Sequence, residues 1–287
     1  GPFESGSYRV ERGEGPKITA GLTVEDAGES FLVRYPAELE FHVPKNLVGL
    51  LSSVKTPRAS YLRSSSPGLV LSRADGTQDR AGAVPKVTVV KSGPLAALLR
   101  FEGIGGAGLR SVIEMEFPRS KSWVEVWWTV EDPERLVAGL MVELDLLIED
   151  RPMLVDFGAG SMVYAALRPQ QGAFFWADLS ASGQKSWQID VAGRPYAQGT
   201  GPAEGWAHVM DGSRATAVAI KDFAAASPIR RDSIAVSPEG RLSIRRDFAG
   251  GRERTFTFWL HFVDMPVQVG AATSPQSMMW PPVVEFE

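Results

Sequence analysis

Hydrophobic and polar residues alternate with a period of two along most of this chain, which is the pattern of half-buried β-strands. The segment 109–117 (LRSVIEMEF) is a clear example. Strands are predicted at 31–43 (two, broken at Pro36), 87–102 (two, around Gly93-Pro94), 109–117, 123–130, 139–148, 162–167, 173–179, 205–210, 215–222, 233–237, 241–247 and 255–263. Because helix signals are scarce, the pattern predicts an all-β chain folded as a large two-sheet antiparallel β-sandwich.

The order of these segments shows neither a repeat nor a linker between two halves. Residues 3–287 are therefore predicted to form a single domain, and Gly1-Pro2 is interpreted as the remnant of a cleaved tag. Two segments are interpreted as long loops, 46–82 and 180–203, because they are rich in polar residues, Gly and Pro. Long loops on a β-scaffold often carry binding residues.

Strand alternation also divides the side chains into two faces. One face of each strand is uniformly apolar and is predicted to be core. The predicted core includes Val124, Val126, Val142, Leu144, Phe256, Phe258 and Leu260. The opposite faces combine aromatic and polar residues, namely Trp123, Glu125, Trp127, Glu143, Asp145, Trp259 and His261.

The hairpin 204–222 adds to this mixed face. A four-residue loop at 211–214 predicts three cross-strand pairs: Met210 with Ala215, His208 with Ala217, and Trp206 with Ala219. The same register brings Glu204 towards Lys221. Small alanines beside Trp206 and His208 leave room around these rings, so an open cleft is expected. Burial of the tryptophans under a second layer is the alternative.

Indole rings and imidazoles on one face suit sugar recognition, because pyranose C–H faces stack on aromatic rings while polar groups bind hydroxyls. His208 is a candidate general acid or base, and a purely structural or hydrogen-bonding role is the alternative. His208 and His261 with Glu125, Glu143 or Asp145 are a weaker metal hypothesis, because no metal-binding spacing supports it. No metal and no cofactor are predicted.

Composition narrows the class of protein. The 287 residues carry a net charge of −4, so the chain lacks the excess of basic residues that is typical of nucleic-acid-binding proteins. No apolar run is long enough for a membrane span. The chain has no cysteine, which excludes thiolate chemistry and suits a secreted or periplasmic protein. The composition is compatible with both a monomer and a homo-oligomer.

The order of several motifs resembles a known family. SGPLAALLRFEG (92–103), LRSVIEMEF (109–117), WVEVWWTVEDPE (123–134) and EGWAHVMDGSRATAVAIKDFAAASP (204–228) resemble galactose-mutarotase-like sandwiches and, more closely, the central sandwich of the exo-rhamnogalacturonan lyase family. The likeness covers about residues 85–265. Members of that family have a helical toroid domain with no counterpart among these residues, so the resemblance implies a fold and a preference for sugars but no catalytic residue.

Three functions follow as hypotheses. The first is a polysaccharide lyase that acts by β-elimination on a uronic-acid-containing glycan, with Lys221 or Arg194 neutralising the carboxylate, His208 as base and Tyr164 or Tyr196 as acid. Tyr164 is equally compatible with a core position. The second is a glycoside hydrolase that uses paired carboxylates, and the third is a carbohydrate-binding module without activity. The candidate substrate-binding residues are Trp206, Trp259, His261, Trp123, Trp127, Glu125, Glu143 and Arg194.

Overall fold

The structure is a computed structural model, and it describes residues 21–63, 68–80, 86–103, 109–119, 122–150 and 152–266. The described residues contain 21 strands and no helix. The first eleven are β1 (Thr23–Asp26), β2 (Ser30–Arg34), β3 (Glu40–Pro44), β4 (Ser53–Lys55), β5 (Gly68–Arg73), β6 (Gln78–Arg80), β7 (Lys86–Ser92), β8 (Ala96–Glu102), β9 (Arg110–Pro118), β10 (Trp123–Glu131) and β11 (Val137–Asp145). The others are β12 (Met153–Gly158), β13 (Met162–Leu167), β14 (Ala173–Leu179), β15 (Lys185–Val191), β16 (Arg194–Thr200), β17 (Trp206–Met210), β18 (Arg214–Ile220), β19 (Ile229–Val236), β20 (Arg241–Phe248) and β21 (Glu253–Asp264).

Two large antiparallel sheets and one small sheet organise these strands. The nine-stranded sheet has the order β13-β12-β17-β18-β21-β10-β9-β8-β7, and the eight-stranded sheet has the order β16-β15-β14-β19-β20-β11-β5-β6. Strands β1 to β4 form a separate four-stranded sheet, which was not predicted. The predicted all-β antiparallel sandwich is confirmed. The expected remnant Gly1-Pro2 lies outside the described residues.

The apolar faces of the two large sheets meet in one continuous core. The seven predicted core residues, among them Val126 and Phe258, are all buried there. The four-stranded sheet joins the same core through Phe41, whose ring meets Phe117 and Phe262 edge-on at centroid distances of 5.3 and 5.7 Å. Period-two alternation therefore assigned the inward faces correctly.

The two segments predicted as long loops contain strands. Residues 180–203 form the hairpin of β15 and β16 at the edge of the eight-stranded sheet, and 46–82 includes β4, β5 and β6. The loop prediction is wrong for 46–82 because the short apolar strand β5 lies between polar sequence segments. It is wrong for 180–203 because β16 is largely exposed and its polar residues hide the strand pattern. As a consequence Arg194 and Tyr196 lie on an edge strand.

Candidate functional site

Most of the candidate polar and aromatic side chains lie in two rows of residues on the face of the nine-stranded sheet that points away from the core. Each row crosses the sheet perpendicular to its strands, through directly paired residues. The histidine row is Trp123, His261, Ala217, His208, Asp156 and Tyr164. The indole row is Glu116, Glu125, Trp259, Ala219, Trp206, Gly158 and Met162. The three pairs predicted for the 204–222 hairpin are confirmed.

His208 is held by a carboxylate on the neighbouring strand. Its Nδ1 lies 2.8 Å from Oδ1 of Asp156, and its backbone N–H donates to the same oxygen at 3.1 Å. With Nδ1–H donating to Asp156, a neutral ring carries its lone pair on Nε2. The His208 side chain is 25% exposed. The arrangement fixes the tautomer and the orientation that a proton-transferring imidazole needs.

Trp206 and Trp259 are packed onto the sheet instead of standing open. They are only 7% and 3% exposed, and they form a small cluster with Ala217 and Ala219. The indole of Trp206 lies over Gly158, where a Cβ would come within 2.0 Å of its Nε1. The expected open cleft beside the alanines is therefore wrong, because the indoles themselves occupy that space.

Both indole N–H groups bind carboxylates. Nε1 of Trp206 donates to Oε2 of Glu204 at 2.6 Å, and Trp259 donates to the Glu125 side chain. The Trp206 ring also lies 5.1 Å from the ring of His208, centroid to centroid. The tryptophans thus position acidic groups and the catalytic candidate His208.

His261 is a structural residue in this arrangement. It is 2% exposed, its Nε2 lies 2.6 Å from Oγ of Ser122, and its ring meets Trp123 edge-on at 6.3 Å. The expectation that His261 faces an open cleft is wrong, because Ser122 and Trp123 enclose it. Trp123 and Trp127 are half-buried on the same face and are therefore more accessible than His261.

Glu125 is a partly buried carboxyl group on this face with a strongly raised pKa. Burial raises its pKa to about 7, the hydrogen bond from Trp259 opposes that rise, the neighbouring Glu116 adds to it, and Lys221 opposes it. Glu116 is the directly paired residue on β9. Two adjacent carboxyl groups, one of them protonated near neutral pH, are an arrangement used for acid–base chemistry.

Lys221 stands just beyond the end of β18, with its side chain exposed. Its backbone is fixed from two sides: its N–H donates to the Thr257 carbonyl at 3.0 Å, and its own carbonyl accepts from Nη2 of Arg246 at 2.5 Å. Arg246 is buried and paired with buried Asp232. The charge of Lys221 acts on Glu125, whose pKa it lowers against the larger effect of burial.

The remaining predicted site residues are spread over both sheets. Tyr164 lies at the end of the histidine row and is half-exposed, so it is not a core residue. The hydroxyl of Tyr196 donates to the Tyr164 carbonyl at 3.1 Å, which brings these two together at the sandwich edge. Arg194 is exposed two residues from Tyr196 on β16.

Glu143 and Asp145 do not belong to this face. Both lie on β11 in the eight-stranded sheet, where Glu143 is near Arg80 and Asp145 pairs with Arg241. The expectation that Glu143 shares the site is wrong, because alternation identifies a strand's two faces but not the sheet that the strand joins. Among the described residues, no group of three or more histidines and carboxylates is arranged to hold a metal ion.

Sequence reasoning missed Asp156. It lies on β12, whose segment MLVDFG alternates buried Met153, Val155 and Phe157 with more exposed positions. That alternation was the available signal, and it places Asp156 on the outward face. The part of the chain that the structure describes also contains no helix long and apolar enough to cross a membrane.

Comparison with known proteins gives likeness at the level of structure only. No protein-family model and no curated protein matches the sequence. A TPR-domain containing protein from Parabacteroides distasonis is similar with a TM-score of 0.52 and 7% identity, over 90% of this chain and 50% of that one. The α-N-acetylgalactosaminidase NagBb from Bifidobacterium bifidum is similar with a TM-score of 0.51 and 12% identity, over 84% of this chain and 36% of that one.

This chain thus spans half of the first protein and about a third of the second. A galactose mutarotase related enzyme from Lactobacillus acidophilus is also similar, over 82% of this chain and 97% of that one, at 7% identity and a TM-score of 0.46. At such identities a likeness shows the fold alone. The resemblance to the exo-rhamnogalacturonan lyase family stays a prediction.

Proposed function

We propose that this protein is a carbohydrate-active enzyme whose site is the outward face of the nine-stranded sheet, with His208 as the group that transfers a proton. The observation that carries the proposal is the hydrogen bond between His208 Nδ1 and Asp156 Oδ1 on that face. A carboxylate that orients an imidazole leaves its second nitrogen to act on a ligand. A secreted or periplasmic location belongs to the same proposal.

The reaction we favour is β-elimination on a uronic-acid-containing glycan. His208 removes the proton next to the sugar carboxylate, and a hydroxyl acid protonates the leaving oxygen. Tyr164 is suited to the second role, because it lies in the same row two strands from His208. Two strand spacings amount to about 10 Å between Cα atoms. Asp156 occupies the position between the two residues, so the sugar lies over this row instead of between the two side chains. The cation that we assign to the sugar carboxylate is Lys221, which lies four residues beyond Ala217, the residue paired with His208.

Glycoside hydrolysis is the second candidate, and Glu125 is the specific observation in its favour. Glu125 and Glu116 are directly paired on neighbouring strands, and the pKa of Glu125 is raised to about 7 mainly by burial. Glycosidases use two carboxyl groups, one protonated as acid and one ionised. Glu125 lies three strands from His208, so the two candidate reactions use separate parts of the face.

A screen against acidic and neutral polysaccharides separates these functions. A lyase creates an unsaturated product that absorbs in the near ultraviolet, a hydrolase creates only a saturated reducing end, and a binding module creates neither. If β-elimination is correct, His208→Gln lowers turnover about 10²–10⁴-fold, the usual contribution of a general base. His42→Gln, on the separate four-stranded sheet, is the control and leaves turnover unchanged.

Each result of the screen supports only one of the three functions. Ultraviolet-absorbing products that depend on His208 support the lyase. Saturated products that disappear in Glu125→Gln and persist in His208→Gln overturn it in favour of hydrolysis. Glycan binding without any product from the whole panel overturns the enzyme proposal.

A further inference from the structure

A pocket lies at one end of the sandwich, apart from the two rows. The turn between β2 and β3 meets the turn between β7 and β8 and the residue that follows β9. Together they surround an open space of about 420 Å³ lined by Tyr35, Pro36, Ala37, Leu95 and Arg119. A volume of this size accommodates a small molecule such as one sugar unit.

The walls of this pocket are fixed by hydrogen bonds within the fold. The Tyr35 N–H donates to the Leu39 carbonyl at 2.9 Å, and the Tyr35 hydroxyl donates to the Trp123 carbonyl at 3.2 Å. The Arg119 N–H donates to the Leu95 carbonyl at 2.8 Å. The pocket is therefore formed before any ligand binds, which lowers the entropy cost of binding.

The Arg119 guanidinium distinguishes the pocket electrostatically. Arg119 is half-buried, yet its side chain forms no ion pair or hydrogen bond with any residue in the described ranges. All other described arginines that are buried or half-buried have a carboxylate within 4.0 Å, namely Arg73, Arg100, Arg214, Arg231, Arg245, Arg246 and Arg254. A partly desolvated cation without a partner favours an anionic ligand.

The remaining walls are apolar. Leu95 is 61% exposed in its turn, and Pro36 and Ala37 add apolar groups to the lining. Tyr35 is only 7% exposed and supports the wall from the core side, with its ring 5.6 Å from that of Phe41. The fork of an arginine binds a carboxylate through two parallel hydrogen bonds. The apolar C–H face of a pyranose packs on aromatic and aliphatic side chains. A hexuronate presents both features at once.

We infer that this pocket is a binding subsite for a uronate unit, with Arg119 holding the sugar carboxylate. The substrate class rests on the proposed function, while the pocket and the unpaired guanidinium do not. Trp123 links the two regions, because its carbonyl accepts from Tyr35 and its ring ends the histidine row. His208 lies three strands from Trp123, about 14 Å at the usual strand spacing, so one glycan chain reaches both places.

Calorimetric titration of the whole chain with galacturonate tests the subsite without needing turnover. Galactose is the matched neutral probe, and acetate is the matched carboxylate without a ring. We expect galacturonate to bind at least tenfold more tightly than either. Arg119→Met removes the charged hydrogen bonds and weakens galacturonate binding about tenfold or more, while Arg119→Lys falls between.

Arg110→Met is the control variant. Arg110 lies at the opposite end of β9, is exposed, and is expected to change nothing. Melting temperatures show that the variants are folded. Wild-type affinity for galacturonate in folded Arg119→Met overturns the subsite. Acetate binding as tightly as galacturonate overturns the role of the apolar walls. An absence of galacturonate binding to the wild type overturns the subsite as a whole.

The experiments distinguish a wrong subsite proposal from a wrong enzyme proposal. His208→Gln is expected to keep the Arg119-dependent binding of galacturonate while turnover is lost. If no glycan is turned over but Arg119-dependent binding is measured, the subsite stands and the enzyme proposal falls. If turnover depends on His208 while Arg119→Met binds galacturonate normally, the subsite falls and the enzyme proposal stands.

Discussion

Glu125 makes the folding stability depend on pH in a direction opposite to that of most carboxyl groups. Burial raises its pKa from 4.5 to about 7 in the folded protein, against the opposing hydrogen bond from Trp259. The unfolded chain has no such environment. Between about pH 4.5 and 7 the folded state therefore binds more protons than the unfolded state at this site.

The sign and the size follow from that difference. Stability that is present at pH 4.5 is lost as the pH rises towards 7, because the charged form of Glu125 is disfavoured in the fold. The whole shift corresponds to about 3 kcal/mol at 1.36 kcal/mol per pKa unit. Because Glu125 keeps some contact with solvent, screening reduces this to about 1–2 kcal/mol.

Equilibrium urea unfolding of the wild type and Glu125→Gln at pH 5 and pH 8 measures this contribution. The amide cannot titrate, so the wild type should lose about 1–2 kcal/mol more than the variant between the two pH values. Glu131→Gln is the matched control, since Glu131 is exposed at the other end of β10. Equal pH dependence in the wild type and Glu125→Gln would refute the burial of a protonated Glu125.

Three further predictions concern the core, a buried ion pair and the packing of Trp206. Phe258→Ala is expected to lower the free energy of unfolding by about 3–5 kcal/mol because Phe258 is fully buried, and a loss under about 1 kcal/mol in urea unfolding would contradict the assigned face. Arg246→Met leaves the buried Asp232 carboxylate without its cation, so a loss of about 3–5 kcal/mol is expected in the same assay, and an unchanged unfolding midpoint would contradict the pairing. Gly158→Ala places a methyl group against the Trp206 indole and should change the near-ultraviolet circular dichroism while the far-ultraviolet β-signal persists.

Regular alternation predicted many of the strands, although β5 and β12 were missed despite their buried residues. The predicted strands 162–167 and 173–179 coincide with β13 and β14, and the register of the β17–β18 hairpin was correct to the residue. A buried face specifies register strongly, because a slip by one residue exposes every apolar side chain. The hairpin of β15 and β16 was missed, since an edge strand such as β16 does not need a continuous apolar face.

The candidate site was predictable only in part, for a different reason. His208 and Trp206 were assigned to one face from local alternation, but Asp156 reaches His208 from a strand 52 residues earlier. Glu143 was placed on the wrong sheet for the same reason, because sheet membership depends on contacts between distant segments. The packing of Trp259 with Ala219 and Trp206 is likewise a property of three strands together.

The contact between Tyr196 and Tyr164 has a consequence for how this protein behaves at high concentration. β13 and β16 are each the outermost strand at one end of a large sheet, and an uncovered outermost strand invites pairing with another molecule. Here the Tyr196 hydroxyl occupies the Tyr164 carbonyl of the adjacent sheet, and Pro195 in β16 lacks the N–H that a new strand would need. Both features work against the addition of a further strand at the flank that bears these two exposed tyrosines.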